Sequence, residues 1–175
     1  RESCIHRMVD IALDHCAAPE IAEDAIDKVQ NSLPIMGSLV EYYLDIEDFN
    51  NALKWQRMFA EGQPAGKKRY DAFLKLGQIA LVQAGRPRVV EQVLGELRDN
   101  ADLADQLIQY YTDSGDVSRA LRWLQSVVEA LPDDSGNPHR LERWVSLALD
   151  EQSDVIAAEK GVAHSTHPAP LLELL

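Results

Sequence analysis

Residues 110–123 read YYTDSGDVSRALRW, and an earlier stretch at residues 42–55, YYLDIEDFNNALKW, repeats them. Both copies carry a double Tyr, an Asp two residues later, an Asp in the following turn, and then Ala-Leu-basic-Trp. The offset is 68 residues at every matched pair (111 − 43, 120 − 52), and the later prolines, Pro64 and Pro132, keep the same spacing. A fixed internal period of this kind predicts an array of helical repeats.

The composition is that of a folded, helical chain. Its 175 residues are 46% hydrophobic and 26% charged, which argues against disorder. Only three Phe are present, and the alternation of Val, Ile and Thr that strands need is scarce. The longer periodic stretches are rich in Ala, Leu, Glu, Gln and Arg, which favour helices.

Apolar residues spaced by three and four divide the chain into hairpins at about residues 3–31, 33–63, 68–99, 101–132 and 138–161. Pro19 and Pro87 lie at helix starts, Gly85 fits a left-handed helix cap, and Gly161 is expected to end the last helix. Residues 162–175 are interpreted as a loop and the start of a further helix. We therefore predict an all-α fold, an α-solenoid of about five stacked antiparallel hairpins. It forms a single domain over residues 1–175, which we expect to be a fragment of a longer chain.

Residues 103–132 resemble a tetratricopeptide repeat through Leu107, Tyr111, Gly115, Asp116, Ala120, Leu124 and Pro132. The earlier copy matches through Leu39, Tyr43, Asp48, Phe49, Ala52 and Pro64. It departs from the family at Glu47, where glycine is usual, and at Gln56, where an aromatic residue is usual. The third hairpin fits loosely and the first hardly at all. The resemblance implies that hairpins stack and bury their apolar stripes against one another.

In this register, small and large residues have structural roles. Ala52 and Ala120 are expected where two helices approach closely, with Tyr43 and Tyr111 filling the space opposite. The equivalent Trp55 and Trp123 are expected to pack between helices. If they were exposed, they would instead mark a partner surface.

The resemblance also implies that the first helix of each pair lines a concave face. The polar residues predicted on this face are Glu41, Asp45, Lys75, Asp102, Asp105, Gln109 and Asp113. It also includes Leu44, Ile79, Val82, Gln83 and Thr112. Because the face is mainly acidic, we predict a protein or peptide partner that is rich in Lys or Arg. The alternative interpretation is that these acids form an ordinary solvated surface.

Several partner classes are disfavoured. The formal net charge is −12, which repels phosphate backbones and anionic lipid, so neither nucleic acid nor membrane binding is expected. Two cysteines and no visible signal peptide favour a cytoplasmic location. Some proteins of this family clamp a carboxylate tail with Lys, Asn and Arg. The corresponding residues here are Gly37, Glu41, Lys75, Ile79 and Asp105, so that clamp is absent.

No metal, cofactor or catalytic site is predicted. Cys4, His6, His15 and Cys16 are residues of the zinc-ligand types. One helix over residues 3–16 would hold the two cysteines about 18 Å apart, at about 1.5 Å per residue. His164 and His167 are expected in a loop without further ligands. No nucleophile elbow, phosphate loop or dinucleotide fingerprint is present in the sequence.

The sequence thus predicts a non-enzymatic scaffold that binds a peptide or protein within a larger assembly or a longer polypeptide, and self-association is left open. A second interpretation is a regulatory or sensor segment of a multidomain enzyme or transcription regulator. A third is a helical enzyme domain whose site the sequence does not display.

Overall fold

The structure, a computed structural model, describes residues 2–97, 100–131, 137–152 and 155–164, with the side chains of residues 2, 150–152 and 155–157 left aside. Within these ranges all regular structure is helical. The ten α-helices found there are α1 (Glu2–Asp14), α2 (Pro19–Ile26), α3 (Leu33–Asp45), α4 (Phe49–Gly62), α5 (Lys67–Gln78), α6 (Pro87–Glu96), α7 (Ala101–Asp113), α8 (Val117–Ala130), α9 (Asn137–Gln152) and α10 (Val155–Ala163). Helix α5 runs on into a wider π-helical turn, Ile79–Gln83. The predicted all-α class is confirmed.

The chain forms two compact units, Arg1–Leu97 and Arg98–Leu175. We call them the first unit, which contains α1–α6, and the second unit, which contains α7–α10. Inside each unit every helix contacts the next helix along the chain. This is the neighbour-to-neighbour packing of stacked hairpins, so the predicted helical-repeat architecture is confirmed. The prediction that residues 1–175 form a single domain stays a prediction.

The offset of 68 residues is present in the backbone. Helices α3 and α7 both have 13 residues, and α4 and α8 both have 14. The turn inside each hairpin has one residue with positive φ, Glu47 (58°) in the first copy and Gly115 (75°) in the second. The residue after it closes the turn with a backbone hydrogen bond of 2.8 Å. The Asp48 amide donates to the Tyr43 carbonyl oxygen, and the Asp116 amide donates to the Tyr111 carbonyl oxygen. Two different sequences therefore form the same turn.

The first hairpin follows the same register, although it hardly resembles the family. Ala17 has a φ of 48°, and Gly85, which lies 68 residues later, has a φ of 59°. Pro19 and Pro87 begin α2 and α6, where a missing amide proton is no loss. The predicted left-handed cap at Gly85 is confirmed. The structural repeat thus extends to the first hairpin, where the sequence pattern of the family is hardly present.

Asp48 and Asp116 begin the second helices of their hairpins. Each side chain accepts a hydrogen bond of 3.2 Å from the backbone amide three residues later, at Asn51 and Arg119. These are N-caps, which satisfy an amide that has no partner inside the helix. The hydrogen bonds from Asn51 hold the pKa of the Asp48 carboxyl below its ordinary value.

The repeated small and large residues lie in the cores as predicted. Ala52 and Ala120 are fully buried, and Tyr43 and Tyr111 are buried with them. Trp55 is also buried, while Trp123 is half-buried. Larger side chains in place of either alanine would have no room without shifting a neighbouring helix.

One predicted helix end is wrong. Gly161 does not end the last helix, because α10 continues to Ala163. A Cβ atom at Gly161 would lie 3.2 Å from Val145 Cγ2 and 3.4 Å from Trp144 ring atoms. The glycine therefore lets α10 pack closely on α9. The predicted helix start at residues 171–175, and His167, lie outside the described residues.

Candidate functional site

The residues predicted to bind a partner are shared between the two units. Glu41 and Asp45 lie on α3, and Lys75 lies on α5, all in the first unit. Asp102, Asp105, Gln109 and Asp113 lie on α7 in the second unit, where spacings of three and four put them on one helix face.

In the first unit, the single predicted basic residue is paired with a predicted acid. The Lys75 ammonium lies 2.5 Å from Glu41 Oε1, so the two charges offset one another. Both side chains are about half exposed or more, where such a pair contributes little to stability. Asp45 is exposed one turn further along α3.

An open cleft of about 700 Å³ lies beside this ion pair, and we call it the α3–α5 cleft. Its walls come from α3 and α5, and Gln56 and Phe59 of α4 also line it. Its charged residues are Glu41, Asp71, Lys68 and Lys75, and the partly buried Phe59 supplies apolar surface. The cleft therefore offers an apolar wall and charged groups of both signs.

Gln56 was predicted only as a departure from the family pattern, and the structure gives it a role. The side chain is 2% exposed, although it is polar. Its Nε2 donates a hydrogen bond of 2.8 Å to the Ala72 carbonyl oxygen on α5. This bond ties α4 to α5 beneath the cleft. The amide oxygen of Gln56 is left as an acceptor at a residue that lines the cleft.

In the second unit, Asp105 holds two helices together. Arg140 of α9 donates to both carboxylate oxygens of Asp105, with Nε–Oδ1 at 2.8 Å and Nη2–Oδ2 at 2.7 Å. Arg140 also donates from Nη1 to Asn137 Oδ1 at 3.2 Å. The Arg140 side chain is only 7% exposed, against 41% for Asp105. Such a bidentate ion pair is a strong, directional contact. The Asp105 carboxylate is therefore already bound within the fold.

The other acids on α7 face solvent. Asp102 and Asp113 are exposed, and Gln109 Nε2 donates to Asp113 Oδ1 at 2.6 Å. Beside them, Arg143 Nη2 donates to Thr112 Oγ1 at 2.9 Å. Ile79, predicted at the groove of the middle hairpin, is instead buried, because it packs into the apolar core of the first unit. Val82 in that turn is exposed.

Glu23 of α2 accepts two hydrogen bonds in the first unit, which its predicted place near the start of a helix does not explain. The Tyr43 hydroxyl donates to Glu23 Oε1 at 2.9 Å, and Trp55 Nε1 donates to the same oxygen at 3.1 Å. Burial, together with the bond to Glu23, raises the pKa of the Tyr43 hydroxyl well above its ordinary value. A signal for Glu23 did exist, since the residue 68 positions later is also a glutamate, Glu91.

The residues of zinc-ligand type do not converge. Cys4 on α1 and Cys16 beyond its end are exposed free thiols. In the described parts of the chain, no group of three or more His, Cys, Asp or Glu side chains is arranged to hold a metal ion. The ring of His164 lies 5.5 Å from that of Trp144. No helix among the described residues is long and apolar enough to cross a membrane.

No family model and no curated protein matches the chain. Among solved structures, it is similar to one described as "MamA RS-1 ArsTM double mutant". The identity is 13% and the TM-score is 0.45, over 98% of this chain and 93% of that one. At this level of similarity, neither a family nor a function is assigned.

Proposed function

We propose that the chain is a non-enzymatic interaction scaffold of tetratricopeptide type, which binds a protein or peptide through the first helices of its hairpins. The observation that carries this proposal is the α3–α5 cleft, an open space of about 700 Å³ between two such helices. A cleft with an apolar wall and a few charged groups is the kind of surface on which peptide side chains dock.

The partner that we propose is rich in Lys or Arg. Asp45, Asp102 and Asp113 are exposed acids on first helices, and the whole chain has a formal net charge of −12. Complementary charge speeds the encounter and favours partners of the right sign. Asp105 is left out of the proposed contact set because Arg140 occupies it.

The test is a selection from a displayed random-peptide library on the immobilised chain, at low and at high ionic strength. We expect enrichment of peptides containing Lys or Arg, and weaker binding at high salt, because exposed charges are screened. The triple variant Asp45→Asn, Asp102→Asn, Asp113→Asn should lose most of that enrichment.

A matched control removes the same charge from other helices. Asp24→Asn, Glu61→Gln and Glu96→Gln change exposed acids on α2, α4 and α6, which are second helices. This variant should keep the enrichment. Equal losses in the two triple variants would contradict a contact at the first helices, and a library without basic enrichment would contradict a basic partner.

A further inference from the structure

The α3–α5 cleft lies where the first unit lacks two side chains that the second unit has. Helices α3 and α7 match at an offset of 68 residues along their whole length. At this offset Gly37 corresponds to Asp105, and Ala72 corresponds to Arg140. Gly37 and Ala72 both line the cleft. Thus the first unit has a hydrogen and a methyl group at the two positions where the second unit has a bonded ion pair.

Close packing does not account for the glycine. A Cβ atom at Gly37 would lie 3.8 Å from Phe59 Cε2, an ordinary van der Waals contact. Gly161 differs in this respect, because a Cβ there would crowd Val145 at 3.2 Å. Gly37 therefore leaves room beside α4 that a larger residue could fill. What the glycine provides is open space at the cleft.

The walls of the cleft fit a long side chain with a cationic, planar end. Phe59, which is partly buried, offers apolar surface for an aliphatic stem, and a guanidinium group can stack on an aromatic ring. Glu41 and Asp71 supply carboxylates, and Gln56 supplies an amide oxygen. Lys68 and Lys75 also line the cleft.

The ion pair of Lys75 does not prevent this contact. Lys75 is bonded to Glu41 through a single pair of atoms, and both side chains are exposed enough to exchange partners. A guanidinium can instead bind a carboxylate through two parallel hydrogen bonds, as Arg140 does with Asp105 in the second unit. An arginine can therefore displace Lys75 from Glu41.

We propose that the α3–α5 cleft receives an arginine side chain of the partner, which takes the place that Arg140 fills in the second unit. This inference rests on the proposed scaffold function and names the partner side chain that one surface recognises. It goes further than a general preference for basic peptides, because it separates Arg from Lys.

The test is a titration of the full 175-residue chain, labelled with ¹⁵N, followed by amide chemical shifts. The probes are the N-acetyl methylamides of arginine, citrulline, lysine and glutamate. Citrulline has the shape of arginine without its charge. We expect the arginine probe to shift the amides of Gly37, Glu41, Ala72 and Lys75. Citrulline should bind roughly tenfold more weakly or worse, as expected for the loss of a charged hydrogen bond.

Two variants locate the binding. Gly37→Asp with Ala72→Arg copies the ion pair of the second unit into the first, and it should abolish the shifts caused by the arginine probe. Glu41→Gln with Asp71→Asn removes the carboxylates from exposed positions without filling the cleft, so it tests the proposal even if the first variant does not fold. Asp24→Asn with Glu96→Gln, on α2 and α6, is the control and should leave the shifts unchanged.

Three results would overturn the proposal. They are binding of citrulline or lysine equal to that of arginine, stronger shifts of the same amides by glutamate, and unchanged arginine shifts in the filled or carboxylate-free variants. The scaffold function is tested separately. Library peptides that bind the filled variant as well as the original chain would leave the scaffold standing without the arginine site. If the chain selects no peptide but its amides still respond to the arginine probe, the arginine site stands and the scaffold function is contradicted.

Discussion

The two units share a backbone plan and differ in the side chains at some matched positions. Helices α3 and α4 match α7 and α8 in length and in the turns between them. In the first unit, Glu23 accepts hydrogen bonds from two neutral donors, Tyr43 and Trp55. In the second unit, Asp105 accepts from a buried cation, Arg140. The apolar register and the caps at Asp48 and Asp116 are common to both, while the Asp105–Arg140 pair has Gly37 and Ala72 at the matching positions of the first unit.

This difference shows where specificity can lie in a repeat protein. The repeated positions, such as Ala52 and Ala120, are fixed by close packing and tolerate little change. Positions that differ between copies, such as Gly37 and Asp105, are free of that constraint. A cleft opens at such a position in the first unit. We therefore expect binding functions at residues where the copies disagree.

The largest effect is expected from Leu76→Ala, with Met8→Ala as its matched partner at the same offset of 68. Leu76 on α5 is 1% exposed, while Met8 on α1 is 44% exposed. Loss of the buried side chain leaves a cavity and should lower the free energy of unfolding by about 2–5 kcal/mol. Met8→Ala should change it by less than about 0.5 kcal/mol. Urea unfolding measures both. Equal losses would mean that Met8 is covered in solution.

The next effect concerns the ion pair of the second unit. Asp105→Asn turns an amide donor toward Arg140 and removes the charge that compensates a guanidinium with only 7% exposure. We expect a loss of about 1.5–3 kcal/mol, the range for hydrogen bonds to charged groups. Asp102→Asn, on the same helix but exposed, is the control and should have almost no effect. If both variants melt like the original chain, Asp105 is a free surface acid, as the sequence predicted.

Overpacking tests the part of the plan that the units share. Ala120→Leu and Ala52→Leu both put a large side chain at a fully buried alanine. Each should lower the free energy of unfolding by about 1–3 kcal/mol, because neighbouring helices must move apart. Thermal melts should show similar losses of stability in the two variants. An unchanged melt in either case would show that the repeat register is misplaced there.

The sequence could predict features that close packing and backbone conformation restrict, but not contacts between residues far apart in the chain. The hairpins, the alanine positions and the cap at Gly85 were predictable, because packing and positive φ restrict the residues that can serve. The partner of Asp105 was not, since Arg140 lies 35 residues away and no local pattern marks the pair. Gly161 looked like a helix end because its close contact with α9 is a tertiary effect. The cleft at Gly37 depends on side chains that are missing, which a periodicity does not reveal.

The Tyr43 hydroxyl gives a pH dependence to the first unit. Its pKa is raised, first by burial and then by the hydrogen bond to Glu23. A raised pKa in the folded state means that the stabilisation is complete below the unfolded value, about 10. It is lost as the pH rises from there towards the folded pKa, because only the unfolded hydroxyl ionises. Urea unfolding across this range should show a steeper decline for the original chain than for Tyr43→Phe. Parallel declines would contradict a buried, hydrogen-bonded hydroxyl.

The smallest expected effect compares the two hairpin turns. Glu47 has a φ of 58°, a conformation that Gly115 adopts at 75° in the other copy. A left-handed residue with a side chain costs roughly 1–2 kcal/mol, of which glycine's freedom in the unfolded chain takes back about 0.5–1 kcal/mol. Glu47→Gly should therefore raise the free energy of unfolding by about 0.5–1 kcal/mol. Gly115→Ala should lower it by a similar amount through backbone strain alone, because a Cβ there meets nothing within 4 Å. Urea unfolding of both single variants and of the double variant measures these changes in the free energy of unfolding. Two opposite changes that cancel in the double variant would establish that the turns are equivalent. No gain in stability from Glu47→Gly would show that Glu47 carries no strain.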